Sequence, residues 1–191
     1  MKIIVLGATG LVGRAVAAAL EPRHDVIAVS RASPVSADLR DPASLDALFG
    51  EPADALVCCA ANVPLRPLAE LTDEQVLDDL RGKLLGQVAL ARRAAAHLGD
   101  GGSITLTGGT FDEPVPGSGL GALVNAGLEG FVRSAAAELP RGLRINVVSP
   151  GWITETLEAM GEQGGTPVAV VAEAYRALVE GDATGTTVRP R

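Results

Sequence analysis

Aromatic side chains are scarce in this sequence: three Phe, one Tyr and one Trp among 191 residues, 3% in all. A core with that supply is built from Ala, Val and Leu. Cysteine is scarcer still, and its two copies, Cys58 and Cys59, are neighbours in an apolar run. Adjacent strand residues point to opposite faces, so the pair is unsuited to a disulfide, and free buried thiols fit a reducing cytosol. Positive charge is outnumbered, 16 Lys and Arg against 23 Asp and Glu, a net charge of −7. With no clustered basic face, a nucleic-acid partner is not expected. No apolar run approaches the roughly 18 residues of a membrane span. The four-residue apolar stretch after Lys2 ends in glycine, too short for a signal h-region. His24 and His97 stand alone and read as surface residues. No metal-ligand spacing and no nucleophile elbow occurs, so no metal site is expected. These absences lead to the expectation of a cytoplasmic single domain spanning 1–191 that binds neither nucleic acid nor membrane, long enough to bury about 70% of its unfolded surface.

The stretch with the most information is the first thirteen residues. Ile3, Ile4, Val5 and Leu6 form a buried strand that meets Gly7, Gly10 and Gly13, after which Val12, Ala15, Val16, Ala19 and Leu20 recur at helical spacing. A strand turning this tightly into a helix aims backbone N–H groups and the positive end of the helix dipole at one spot, a ready pyrophosphate site. Gly7 allows the turn, Gly10 lets the backbone approach the phosphates and Gly13 lets helix and strand pack closely.

Further apolar strands follow at Asp25–Val29, Ala55–Cys59, Ser103–Thr107 and Arg144–Val148, with a last one at Thr186–Arg189. A short strand is also expected near Val35–Leu39, with no room before it for the usual crossover helix. That leaves one sheet edge partly bare. Helices are expected from Asp41-Pro42 to Phe49, from a Thr72/Gln75 capping box to Leu98 with an interruption near Gly82, from Leu123 to Leu139, and from Thr166-Pro167 to Glu180. The segment Phe111–Gly121 reads as a Gly- and Pro-rich loop. The whole is an α/β fold, a Rossmann-type doubly wound parallel sheet whose helix between strands 2 and 3 is missing or minimal.

Three segments, GATGLVG at Gly7–Gly13, NAGLEGFVRSAAAEL…RINVVSPGW at Asn125–Trp152, and TG…V around Thr184–Val188, resemble the short-chain dehydrogenase/reductase family over essentially the whole chain. The resemblance implies a nicotinamide dinucleotide held by Gly7, Thr9, Gly10, Leu11 and Gly13 at its phosphates. It further implies Asp38 and Leu39 at the adenine, Ala60 and Ala61 along the ribose, and Pro150, Gly151 and Ile153 beside the nicotinamide. The family's phosphate-contacting threonine falls on Glu155, between Thr154 and Thr156. About 20 residues past Gly10, where an acidic residue would bind the ribose 2′-hydroxyl of NAD, stand Ser30 and Arg31. A guanidinium and a hydroxyl match a 2′-phosphate, so the cofactor expected is NADP(H). The resemblance also implies a homodimer or homotetramer packed through the helices 72–98 and 123–139.

The family's Ser, Tyr, Lys and Asn set is absent. Its positions fall on Gly108, Gly121, Asn125 and Lys83, and the only tyrosine, Tyr175, lies far along the last helix. Lys83 and Asn125 look like an exchange of the family's Asn and Lys, and are the candidate catalytic pair: Lys83 as cationic acid or electrostatic anchor, Asn125 as a donor to ribose or carbonyl. Asp112 and Glu113 read as solvent-facing. Two functions stay open at this stage, an NADP(H)-dependent oxidoreductase with altered proton chemistry on a small carbonyl or alcohol, and a non-catalytic NADP(H)-binding sensor or scaffold.

Overall fold

Parallel strands with both faces covered are buried more than they are exposed, and strands of this kind form the centre of the computed structural model, which describes residues 1–191. Six parallel strands, β1 (Lys2–Leu6), β2 (Asp25–Val29), β3 (Ala55–Cys58), β4 (Ser103–Thr107), β5 (Arg144–Val148) and β6 (Thr187–Val188), form one sheet in the order β2-β1-β3-β4-β5-β6. Every residue of β3 and β4 is buried. Alternation along each strand divides the core in two. Ile4, Leu6, Leu56, Ile104 and Val147 pack beneath one helical layer, and Ile3, Val5, Val57 and Val148 beneath the other. The first layer holds α3 (Gly86–His97) and α4 (Gly119–Ala135), and the second α1 (Leu11–Leu20) and α6 (Val168–Glu180). No helix is long and apolar enough to cross a membrane.

The chain runs from β1 to β2 on one side and then to β3 on the other, so the strand order reverses at β1. A crevice opens beyond the strand C-termini at such a point. The backbone there is packed without room for side chains. Gly7 has φ +87°, and a Cβ on it would stand 2.6 Å from the amide nitrogen of Ala60. A Cβ on Gly13 would stand 2.1 Å from the carbonyl oxygen of Gly7.

Several elements differ from their expected form. The strand near Val35 is reduced to a single bridge, Ser30 with Ser36, because the few residues after β2 cannot make a crossover and return to the sheet. The residues Pro42–Phe49 form a 3₁₀-helix, begun by the Asp41 carboxylate accepting from the amide of Ala43 at 3.1 Å. The Thr72/Gln75 capping box forms as expected, with reciprocal bonds of 3.2 and 3.1 Å. The helix it starts is α2 (Asp73–Asp79), which passes through a π-helical segment at Leu80–Leu85 into α3. Gly82 and Gly86 lie in and beside that segment because Arg40 and Leu39 pack directly on their bare Cα atoms; a Cβ on either would meet a neighbouring atom at 2.6 Å. Helix α4 starts four residues before Leu123, since its buried stripe already begins at Leu120 and continues through Val124 and Leu128. A short helix, α5 (Thr154–Ala159), was not foreseen.

Substituting Gly13 by Ala is expected to force the β1–α1 turn apart. Overpacking of this kind costs about 1–3 kcal/mol, and for this chain length each kcal/mol lowers Tm by roughly 2–4 °C. Calorimetry on Gly13→Ala checks this, and an unchanged midpoint would refute the close packing.

Candidate functional site

The crevice is a cavity of about 680 Å³. Most of the residues expected to hold a dinucleotide line it: Gly7, Thr9, Gly10, Leu11 and Gly13 from the first turn, Ser30 and Arg31 beyond β2, and Ala60 and Ala61 beyond β3. Asp38, Leu39 and Ile153 complete its sides. Helix α1 begins there with Gly10 at its cap and no side chain on its first amides. Gly10 has no internal neighbour closer than 3.5 Å to its missing Cβ, so internal packing does not require a glycine there. Ser30 is buried, its hydroxyl accepting from the amide of Ala32 at 3.1 Å. The Arg31 side chain is exposed and has no hydrogen bond or ion pair within the chain.

Pro150 and Gly151 are not part of the lining. The carbonyl of Pro150 accepts from the amide of Thr110 at 2.9 Å, and Gly151 faces the Thr110 methyl, which would lie 3.9 Å from a Cβ there. Thr156 reaches the cavity whereas Glu155 turns away, its carboxylate accepting from the amide of Val168 at 2.9 and 3.1 Å at the start of α6. Glu155 thus has a structural use at the first turn of α6.

The two candidate catalytic residues, Lys83 and Asn125, are brought together. Lys83, on the π-helical segment, is 6% exposed, and its Nζ donates to the carbonyl of Gly108 at 3.0 Å and to Oδ1 of Asn125 at 2.8 Å. Burial pushes its pKa from 10.5 down to about 8. An ammonium only donates, so Oδ1 faces it and the Asn125 amide group is left to face the other way. Asn125 lines a second cavity of about 490 Å³, together with Gly109, Phe111, Glu129 and Arg189. Lys83 itself does not line the larger cavity; its neighbour Gly82 does.

Gly108 and Gly121, where the resemblance implies a serine and a tyrosine, are covered by other side chains. A Cβ on Gly108 would stand 2.4 Å from Oγ of Ser149. That hydroxyl, at the end of β5, donates to Glu129 Oε1 at 2.9 Å, and Arg189 donates to Glu129 Oε2 at 2.6 Å. Against Gly121 lies the ring of Phe111, whose edge would be 3.5 Å from a Cβ. Sequence reasoning missed Ser149, Glu129 and Arg189. The one available signal was Glu129 four residues after Asn125, hence on the same side of α4. It also missed Gln87, whose side-chain amide exchanges two 2.9 Å hydrogen bonds with the backbone of Thr107 and fixes the end of β4.

Tyr175 is fully buried, and its hydroxyl pairs with Oγ1 of Thr107, which donates to the carbonyl of Cys58. Burial raises the phenol well above its usual 10. The only phenol in the chain is spent joining α6 to the sheet. Asp112 and Glu113 are exposed, as expected. His97 is also exposed, while His24 is partly covered, with Nε2 at 3.1 Å from Glu180.

A protein-family model described as enoyl-(acyl carrier protein) reductase matches residues 8–185. The Listeria innocua protein lin1944 superposes with a TM-score of 0.94 at 34% identity, over 99% of this chain and 98% of its own. A small-chain dehydrogenase solved in complex with NADPH superposes with a TM-score of 0.86 at 26% identity, over 99% of this chain and 95% of its own. An uncharacterized oxidoreductase of Methylorubrum extorquens is 32% identical over 114 residues, which are 58% of this chain. The match spans 46% of that relative, about half its length.

Substituting Tyr175 by Phe removes the hydroxyl but leaves Thr107 bonded to Cys58. The loss of one buried hydrogen bond is worth about 1 kcal/mol, or a Tm lower by roughly 2–4 °C, with no change in nucleotide affinity. Thermal melts with and without nucleotide measure both quantities; weakened nucleotide binding would show the phenol to belong to the site.

Proposed function

Since the chain belongs to the short-chain dehydrogenase/reductase family, we propose that it is an NADP(H)-dependent oxidoreductase of a small carbonyl or alcohol in which Lys83 and Asn125 take over the proton chemistry. The observation that carries this reading is the buried Lys83 ammonium, bonded at once to Gly108 and Asn125 beyond the end of β4. When bound, the nicotinamide supplies the hydride. The protein must then stabilise charge developing on the substrate oxygen and deliver a proton to it. Asn125, with Oδ1 committed to Lys83, offers Nδ2 as a donor to that oxygen. Lys83 has three protons and two bonds, so one remains; since Lys83 lines neither cavity, that proton is passed on through a water. Out of bulk water its charge acts more strongly on a neighbouring oxyanion than at the surface.

The cofactor preference rests on Ser30 and Arg31. Neither is a carboxylate, both line the cavity, and the Arg31 guanidinium is uncommitted. NADPH in the complex of the related small-chain dehydrogenase agrees with this. Assembly into a homodimer or homotetramer is part of the same proposal. Leu77 on α2, Leu85 at the end of the π-helical segment and Leu123 on α4 are 51%, 54% and 57% exposed, an apolar surface that a second copy would cover.

A second reading has its own support. The Phe111 ring against Gly121 and the buried Tyr175 leave a nucleotide cleft without the family's acid, which suits a dinucleotide-binding sensor or scaffold.

Titration followed by thermal shift and by the fluorescence of Trp152 is expected to show NADPH binding more tightly than NADH, and Arg31→Glu is expected to reverse that order. Equal affinities would remove the 2′-phosphate assignment. Consumption of NADPH against a carbonyl panel separates the two functions, since stabilisation without turnover favours the sensor.

Where turnover is found, Lys83→Ala is expected to lower kcat by about 10²–10⁴-fold, the usual worth of a positioned acid. The wild-type reduction rate is expected to fall as pH rises through about 8, because the amine above its pKa has no proton to give. A flat pH profile with unchanged kcat in Lys83→Ala would exclude Lys83.

A further inference from the structure

We infer that Arg40 is a platform on which the adenine base of the dinucleotide stacks. The inference rests on the NADP(H) reading above and concerns a side chain outside the positions that the family resemblance assigns. Arg40 follows Asp38 and Leu39 along the wall of the 680 Å³ cavity, and its backbone is set by its amide donating to Asp38 Oδ1 at 2.9 Å.

Two contacts define the orientation of its guanidinium. One edge is held by Asp78, which accepts from Nε with both oxygens and from Nη2 with Oδ2, each at 3.1 Å. One face lies on Gly82: a Cβ there would be 2.6, 2.8 and 2.9 Å from Cζ, Nη2 and Nη1. Near-equal distances to three atoms of one plane describe contact through the flat face. With an edge bonded and a face covered, the opposite face is the one left free, and both Arg40 and Gly82 line the cavity. A planar delocalised cation fixed in this way is a stacking surface for an aromatic base.

The charge balance favours a base over a phosphate. Asp78 already offsets the Arg40 charge, whereas Arg31 is an uncommitted cation beside Ser30. The division of labour is therefore Arg31 for the 2′-phosphate and Arg40 for the base. Glycine at 82 makes the platform possible, because any side chain there would displace the guanidinium.

Calorimetric titration with adenosine 5′-monophosphate, adenosine 2′,5′-bisphosphate and NADPH tests this. Arg40→Ala is expected to raise Kd for both adenosine fragments by the same factor, roughly 2- to 30-fold, the range of cation–π contacts. Arg40→Lys keeps the charge and loses the plane, so most of that loss should persist. Gly82→Ala, which pushes the guanidinium off its seat, should weaken both fragments as well. Arg31→Ala should weaken only the bisphosphate and NADPH.

An Arg40→Ala effect confined to the bisphosphate would make Arg40 a phosphate ligand and overturn the proposal. Unchanged affinities in folded Arg40→Ala and Arg40→Lys proteins would overturn it too, while leaving NADP(H) binding intact. Wild-type protein that binds none of the three nucleotides would remove the NADP(H) reading, and the platform with it.

Discussion

The structure depends on contacts in which one stretch of backbone meets another group with no Cβ between them. Gly7 lets the β1–α1 turn lie against Ala60, and Gly13 lets α1 lie against the backbone of Gly7, so that the start of α1 stands at the cavity. Gly82 and Gly86 let the segment Leu39–Arg40 sit on the π-helical turn that carries Lys83. Gly108 makes way for the hydroxyl of Ser149. Each contact excludes any larger residue on one side, and each lies on the wall of a cavity or beside one. The cleft is thus shaped as much by missing side chains as by present ones. Interiors packed at this density relax little when a methyl group is added.

The buried charge of Lys83 is the clearest energetic expense in the molecule. A pKa lowered from 10.5 to about 8 corresponds to about 3 kcal/mol against the charged form in the folded state. Below pH 8 the side chain is protonated in both folded and unfolded chains, and the penalty is present in full. Between 8 and 10.5 the unfolded chain holds more protons, so this group's contribution to stability rises with pH through that window. A protein that needed only packing at this position would be more stable with an apolar residue. Two hydrogen bonds offset part of the expense, and the π-helical segment presents the side chain inward. Such segments are frequent at functional sites.

The layout of the fold was legible because it is written in local patterns. Ile3–Leu6 and Ala55–Cys58 are short and apolar throughout, which is what a strand buried on both faces favours. The Thr72/Gln75 capping box is likewise a matter of three residues' spacing. The missing helix after β2 could be counted from chain length alone. The strand near Val35 was overestimated for the complementary reason: a few β-prone residues satisfy a local pattern, but pairing needs the chain to reach back to the sheet edge. Helix α5 went unseen because its six residues carry no apolar stripe, and no residue of it is buried.

The candidate site divides along the same line. The amino-acid order by itself determined the glycine turn, the absence of an acidic residue after β2, and the glycines at 108 and 121, since all of these are statements about which residue stands at which position. Only the tertiary structure decided what packs around them. Lys83 bonds to Asn125 across 42 residues, and Tyr175 pairs with Thr107 across 68. Phe111 closes over Gly121, Ser149 stands against Gly108, and Arg40 lies flat on Gly82. Such contacts join elements that meet only after the sheet has assembled. They depend on how closely two backbones approach, a distance set by packing across the whole sheet and carried by no local periodicity.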